Sequence, residues 1–119
     1  MEKFSVTLPL TGEYLTTVRL TTGGLCALAG FDVDSTEDFK VCVTESLLIL
    51  KRGGFLSATI TFTIGETLAC VAEGAEHEGA IEDSIENEIS RALLLSLVGE
   101  EVEFCKNANG VVEKIAFEG

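Results

Sequence analysis

The segment from Ser35 to Arg52 constrains the fold more than any other, because its apolar residues recur at the spacing of one helix face. Ser35 is placed to cap the first turn of this helix, and Gly53-Gly54 to end the last one. The predicted buried stripe consists of Phe39, Cys42, Val43, Ser46, Ile49 and Leu50. Glu45 lies in the middle of the helix, where a carboxylate needs a partner, an edge position or a cleft. Glu45 is therefore the first candidate functional residue.

Two elements precede this helix. Residues 4–8 alternate apolar and polar side chains, which predicts a short strand that Pro9 ends. Residues 12–29 carry apolar side chains at helical spacing. Gly23-Gly24 interrupts this pattern and indicates either a break in the helix or a close contact there.

A hairpin is predicted after the central helix. Thr59, Thr61 and Thr63 alternate with apolar residues over the strand 59–64. Gly65-Glu66 then predicts a tight turn into a partner strand over residues 67–72.

The last part of the chain begins with residues 73–83, which are acidic and aperiodic and therefore predict a loop. Asp83 or Ser84 is expected to cap a third helix that ends near Gly99. Two strands follow, residues 101–104 and 111–119, and the Asn-Gly pair in the 107–110 turn favours a hairpin between them. The third helix carries the apolar residues Ile85, Ile89, Ala92, Leu93 and Leu97.

The element order β-α-α-β-β-α-β-β predicts a single α+β domain over residues 1–119. The expected architecture is a two-layer α/β sandwich, in which three helices cover one face of a mixed, mostly antiparallel five-stranded sheet. The threonine-rich face of the sheet is then either open to solvent or used for association.

Composition narrows the function classes. Twenty acidic and eight basic residues give a net charge of −12, which argues against nucleic acid or an anionic membrane as the partner. Among partners this charge favours a basic protein surface, and the alternative is that it serves solubility alone. No apolar run reaches the roughly 18 to 20 residues that span a bilayer, and the alternating N-terminus does not read as a signal peptide. The four cysteines lack CxxC spacing, so reduced core thiols are favoured over disulfides, and a cytoplasmic location is expected.

The stretch EYLTTVRLTTGGLCALAGFDVDSTEDFKVCVTESLLIL, residues 13–50, resembles the first half of the anti-sigma factor serine kinases. These kinases are small members of the GHKL (histidine-kinase-like, Bergerat-fold) ATPases. The resemblance implies that Glu45 stands where the family has its proton-accepting Glu. The Asn that orients magnesium four residues later is replaced by Ile49, which has no oxygen to bind a hard cation.

The glycine motifs of that family are altered as well. Where the resemblance calls for an adenine-reading Asp-x-Gly-x-Gly run, this chain has Glu73-Gly74, with Gly79 too late for the spacing. Where backbone amides would approach phosphates at the last helix, it has Ile89-Ser90-Arg91-Ala92. Glu45, Ile49, Glu73 and Gly74 are thus the positions of a degenerate ATP site.

The remaining polar candidates favour structural explanations. His77 between Glu76 and Glu78 is more often a hydrated loop histidine than a metal ligand. Asn107 and Asn109 are expected to form a turn. Glu45, if it is not a vestigial catalytic base, is expected to pair with Arg52 or Arg91.

The resemblance implies a regulatory protein-binding module of the anti-sigma type, without a cofactor or metal. Its expected partner is a sigma factor or an anti-anti-sigma-like protein, and a homodimer is possible within that repertoire. The alternative is an active ATP- and magnesium-dependent protein-serine kinase that acts on an anti-anti-sigma type partner. Neither alternative involves nucleic acid or a membrane.

Overall fold

The computed structural model describes residues 2–77 and 85–119, and in this part of the chain it confirms the predicted element order. The strands and helices are β1 (Glu2–Pro9), α1 (Gly12–Leu28), α2 (Val33–Arg52), β2 (Phe55–Ile64), β3 (Leu68–His77), α3 (Ile85–Val98), a 3-10 turn (Gly99–Glu101), β4 (Glu103–Lys106) and β5 (Val112–Glu118). The expected caps of α3, Asp83 and Ser84, lie outside the described residues.

The five strands form one sheet in the order β1-β2-β3-β5-β4. Every pairing in it is antiparallel, so the expected mixed character is wrong and the expected antiparallel character is confirmed. The β4–β5 hairpin turns through residues 107–111, where the Asn107 Oδ1 accepts hydrogen bonds from the backbone N–H groups of Asn109 (2.9 Å) and Val111 (3.1 Å). Asn107 is therefore a turn-forming residue, as predicted, and Asn109 lies within the same turn.

The helices form the second layer, with α2 in the middle. It packs against β2, β3 and β5, and α1 and α3 pack against its two sides. The core between α2 and the sheet includes the fully buried side chains of Val43, Leu47, Leu50, Ile60, Phe62 and Ile115. The chain is thus a two-layer α+β sandwich.

The face of the sheet that points away from the helices stays open. Thr59, Thr61 and Thr63 lie on it, as the alternation predicted, and are half-buried. The hydroxyl of Ser5 pairs with that of Thr61 at 2.9 Å, and the hydroxyl of Thr7 with that of Thr59 at 2.8 Å. Both hydroxyl pairs join residues that lie directly opposite each other in β1 and β2, and they stabilise the pairing of these strands.

The first and second helices differ locally from the sequence prediction. Helix α2 starts three residues early, because the carboxylate of Asp32, and not the side chain of Ser35, caps it; this carboxylate accepts the Ser35 N–H at 2.7 Å. Helix α1 runs unbroken through Gly23-Gly24. A Cβ on Gly23 would lie 2.9 Å from Cε of Lys40, so the close-contact alternative is the correct one there.

The acidic segment of residues 73–83 was predicted to be a loop, and the structure differs from this prediction in part. Residues 73–77 continue β3 to His77 and pair with the first half of β2, so the predicted loop is wrong for these five residues. The other part of the predicted loop, residues 78–83, lies outside the described residues.

No helix among the described residues is long and apolar enough to cross a membrane.

Candidate functional site

Four polar side chains meet between α2 and α3. Glu45 and Arg52 lie seven residues apart on one face of α2, and Asn87 and Ser90 lie three apart on the facing side of α3. The Ser90 hydroxyl donates to Oε2 of Glu45 at 3.1 Å, and Nη1 of Arg52 donates to Oγ of Ser90 at 2.9 Å. The same Nη1 also donates to Oδ1 of Asn87 at 3.1 Å. We call these four residues the α2–α3 polar network.

The network provides the partner that a carboxylate in the middle of α2 was expected to need. The carboxylate of Glu45 is half-buried and is linked to the guanidinium of Arg52 through the hydroxyl of Ser90, so the expected pairing with Arg52 is indirect. Arg91, the other expected partner, instead lies over the ring of Phe104, with its guanidinium carbon 4.7 Å from the ring centroid.

This arrangement favours structural linkage over acid–base chemistry. Ser90 is only 1% exposed, so its hydroxyl cannot reach a substrate while α2 and α3 are packed together. Hydrogen bonds to charged groups contribute more to stability than neutral ones. The network therefore fixes how α3 sits against α2.

Ile49 contributes to the hydrophobic core. Its side chain is 3% exposed and belongs to the buried cluster of the domain. No oxygen ligand is available at this position for a cation held beside Glu45.

The structure separates Glu73 from Glu45. Glu73 lies opposite Thr59 and Lys114 on the open face of the sheet and is exposed, whereas its neighbour Ala72 points into the core. Since the helices cover the other face, Glu73 and Glu45 cannot line one pocket.

Gly74 has a packing role. A Cβ at this position would lie 2.5 Å from Cγ and Cδ1 of Phe55, so the ring of Phe55 occupies the space that any side chain would need. Phe55 is itself 7% exposed. A glycine is therefore required here by the aromatic ring, independently of any ligand.

His77 has a packing role at the open end of the β2–β3 hairpin. Its Nε2 lies 2.7 Å from the carbonyl oxygen of Gly53, which fits a proton on that nitrogen, and its ring packs edge-on against Phe55 with centroids 4.8 Å apart. Glu76 is exposed, and Glu78 lies outside the described residues. Among the described residues, no group of three His, Cys, Asp or Glu side chains is arranged to hold a metal ion.

The four thiols are all free. Cys26, Cys42 and Cys70 are buried, as expected, whereas Cys105 is exposed on β4, so the expectation of a core thiol is wrong there. Burial raises the pKa of Cys42 to about 12, and the carboxylates of Asp38 and Glu45 add to this rise. Burial likewise raises the pKa of Cys26 and Cys70. The buried thiols are therefore protonated and poor nucleophiles.

The outer face of α3 is a feature that the sequence pattern did not identify as a surface. The helix buries Ser90 and Leu94. In contrast, the side chains of Ile85, Ile89 and Leu93 on the same helix are 70%, 54% and 36% exposed. Spacing of four residues sets these three side chains in one row, which we call the α3 apolar stripe. The sequence carries no signal that locates this surface, because the side of α3 that faces α2 is known only from the burial of Ser90 and Leu94 in the packed structure.

Comparison with known proteins adds no family assignment. No protein-family model matches the sequence, and no curated protein matches it.

Proposed function

We propose that this protein is a regulatory protein-binding module of the anti-sigma type, built on a histidine-kinase-like ATPase domain whose nucleotide site is degenerate. The observation that carries the proposal is the α2–α3 polar network, in which the side chain of Glu45 is hydrogen-bonded to Ser90 and is linked through it to Arg52. The proposed role places the protein in the cytoplasm, with a sigma factor or an anti-anti-sigma-like protein as its partner.

Three local features support the loss of nucleotide binding. A magnesium-nucleotide site needs an oxygen ligand, and Ile49 offers a buried hydrocarbon side chain. Oε2 of Glu45 accepts the Ser90 hydroxyl, which ties this carboxylate to α3. The backbone at Ser90 belongs to a regular helix packed on α2, so its amide is used within the helix instead of facing a phosphate.

Charge and surface support a protein as the partner. The net charge of −12 favours a basic partner and opposes phosphate-rich ligands. Scattered exposed apolar residues are ordinary, but three in a row on one helix are typical of a surface that contacts another protein. The homodimer that the resemblance implies is the competing use of such a surface.

The competing function is an ATP-dependent protein-serine kinase, and the feature that favours it is the resemblance that aligns Glu45 with the proton-accepting Glu. The two functions differ in ATP binding. A ligand present at 100 times its dissociation constant stabilises a protein by about 2.7 kcal/mol, which thermal unfolding detects easily.

The first experiment measures thermal unfolding with millimolar ATP, with and without magnesium. We expect no shift of the midpoint. The matched variant Ile49→Asn restores an oxygen at the magnesium position, and we expect it to lower stability without creating an ATP-dependent shift, because a buried amide lacks a partner there. A magnesium-dependent shift in the unmodified protein would contradict the proposal and support the kinase.

The second experiment tests the binding function directly. Proteins that co-purify with the chain from its native host are identified, and the complex is then reconstituted from purified components. We expect a complex with a sigma factor or an anti-anti-sigma-like protein that forms equally well without ATP. A complex that requires ATP, or phosphorylated serine on the partner, would support the ATP-dependent protein-serine kinase instead.

A further inference from the structure

The α3 apolar stripe is held in a fixed position at the surface. Ile85 and Leu93 are eight residues apart, so the stripe runs about 12 Å along the helix axis. On the adjoining side of the helix, Ser90 is anchored by the polar network and Leu94 is fully buried. A partner that packs on the stripe would therefore meet a preorganised surface, which lowers the ordering cost of binding.

The N-terminal end of the stripe is flanked by negative charge. Glu86 and Glu88 are exposed on the first turn of α3, beside Ile85 and Ile89. No Lys or Arg lies between Ile85 and Ser90. The apolar row is thus flanked by negative charge at its N-terminal end.

The basic side chains near this surface are already engaged. Arg91 is the only basic residue of α3, and its guanidinium lies over the ring of Phe104. Arg52 donates to Asn87 and Ser90 within the polar network. Neither guanidinium is directed at the carboxylates of Glu86 and Glu88, since among the described residues the one ion pair within 4.0 Å joins Lys40 and Glu37.

We propose that the α3 apolar stripe docks an amphipathic helix of a partner protein, one whose aliphatic side chains are flanked by Lys or Arg. This inference rests on the proposed protein-binding function and identifies the surface and the chemistry of its partner. The aliphatic side chains cover Ile85, Ile89 and Leu93, and the basic flanks meet Glu86 and Glu88. A second copy of this chain is a poorer occupant, because two chains of charge −12 repel each other.

The test uses two designed helical peptides of about 20 residues, which share one aliphatic stripe and differ only in Lys or Glu at the flanking positions. Binding to the full chain is measured by isothermal titration calorimetry or fluorescence anisotropy. We expect the Lys peptide to bind and the Glu peptide to bind at least tenfold more weakly. Raising the salt concentration from about 50 mM to about 500 mM is expected to weaken the Lys peptide several-fold, because screening shortens the range of the charge interaction.

Variants of the chain locate the binding surface. The double substitution Ile85→Ser with Ile89→Ser is expected to weaken the Lys peptide by about tenfold or more, because both side chains lose apolar contact area. The control Leu20→Ser removes a side chain that is 72% exposed on α1 and is expected to leave binding unchanged. Glu86→Gln with Glu88→Gln is expected to reduce the salt dependence. Circular dichroism checks that each variant is folded.

Three outcomes would overturn the inference. Equal binding of both peptides would show that charge does not select the partner. Absence of binding at about 1 mM Lys peptide would show that the stripe is no docking site for such a helix. Concentration-dependent dimerisation that the two isoleucine substitutions abolish would assign the stripe to a second copy. Each of these leaves the proposed function testable on its own, since that function is refuted by ATP binding and not by the peptides.

Discussion

The hydroxyl of Ser90 offers the sharpest test of the polar network. Ser90→Ala removes one oxygen and leaves the helix backbone unchanged. It abolishes the hydrogen bond to Oε2 of Glu45 (3.1 Å) and the one from Nη1 of Arg52 (2.9 Å), whereas Arg52 retains its bond to Asn87. Both lost hydrogen bonds involve a charged group. Losing such a bond costs about 1.5–3 kcal/mol when water does not replace it.

The expected total is smaller than the sum of two such bonds. Glu45 and Arg52 are half-buried, so water can replace part of what the hydroxyl supplied. We therefore expect Ser90→Ala to lower the free energy of unfolding by about 2 kcal/mol. With an unfolding entropy of about 2.1 cal/mol/K per residue over 119 residues, this corresponds to a midpoint about 8 °C lower.

The measurement is urea and thermal unfolding followed by far-ultraviolet circular dichroism, because the chain has no tryptophan. The control is Ser96→Ala, an exposed position on the same helix, which has the same gain in helix propensity without a loss of hydrogen bonds. The difference between the two variants isolates the role of the Ser90 hydroxyl. Equal stability of Ser90→Ala and Ser96→Ala would refute the network as a source of stability.

Three further predictions test the packing and the ionisable groups. Gly74→Ala is expected to destabilise the fold by about 1–3 kcal/mol, because its Cβ meets the ring of Phe55. Gly24→Ala, with no atom within 4 Å of the new Cβ, is expected to stabilise α1 by about 0.5–1 kcal/mol in the same urea titration. A similar effect of both substitutions would contradict this packing. Asp32→Ala is expected to destabilise the protein at neutral pH and to become indistinguishable from the unmodified protein in acid. The backbone N–H that Asp32 binds lowers the pKa of its carboxyl below the ordinary value, so its stabilisation is present above about pH 4 and is lost as the pH falls through the folded-state pKa; a constant difference across pH would refute the charged cap. Thiol labelling of the native protein is expected to modify Cys105 rapidly and the other three thiols only on unfolding, and fast labelling that persists after Cys105→Ser would show that the core opens.

Local patterns were enough to predict most of the fold. The helical spacing of Phe39, Val43 and Leu50 and the alternation from Thr59 to Ile64 give each element its type, because these periods follow from the geometry of a helix and a strand. The Asn-Gly pair at residues 109–110 likewise predicted the last hairpin, since Gly110 adopts a φ of 79° that few other residues tolerate.

Boundaries depended on contacts between distant residues. Asp32 and Ser35 are equally good caps by residue type, and the edge-on contact of Phe31 with Phe39, 5.6 Å between ring centroids, accompanies the earlier start of α2. Residues 73–77 are polar and aperiodic, yet they form a strand because β2 offers backbone partners along its full length.

The sequence predicted Glu45 and its pairing with Arg52, but neither Asn87 and Ser90 as their partners nor the geometry of the site. The sequence alone identified Glu45 as a carboxylate that needs a partner, Ile49 as a position without a metal ligand, and the net negative charge that favours a basic partner. The tertiary structure alone decided that Ser90 links Glu45 to Arg52, that Glu73 lies on the opposite side of the sheet, and that α3 turns its isoleucines outward. The physical reason is that periodicity sets which side chains share a face, whereas the face that is buried depends on the free energy of packing against elements far away in the chain.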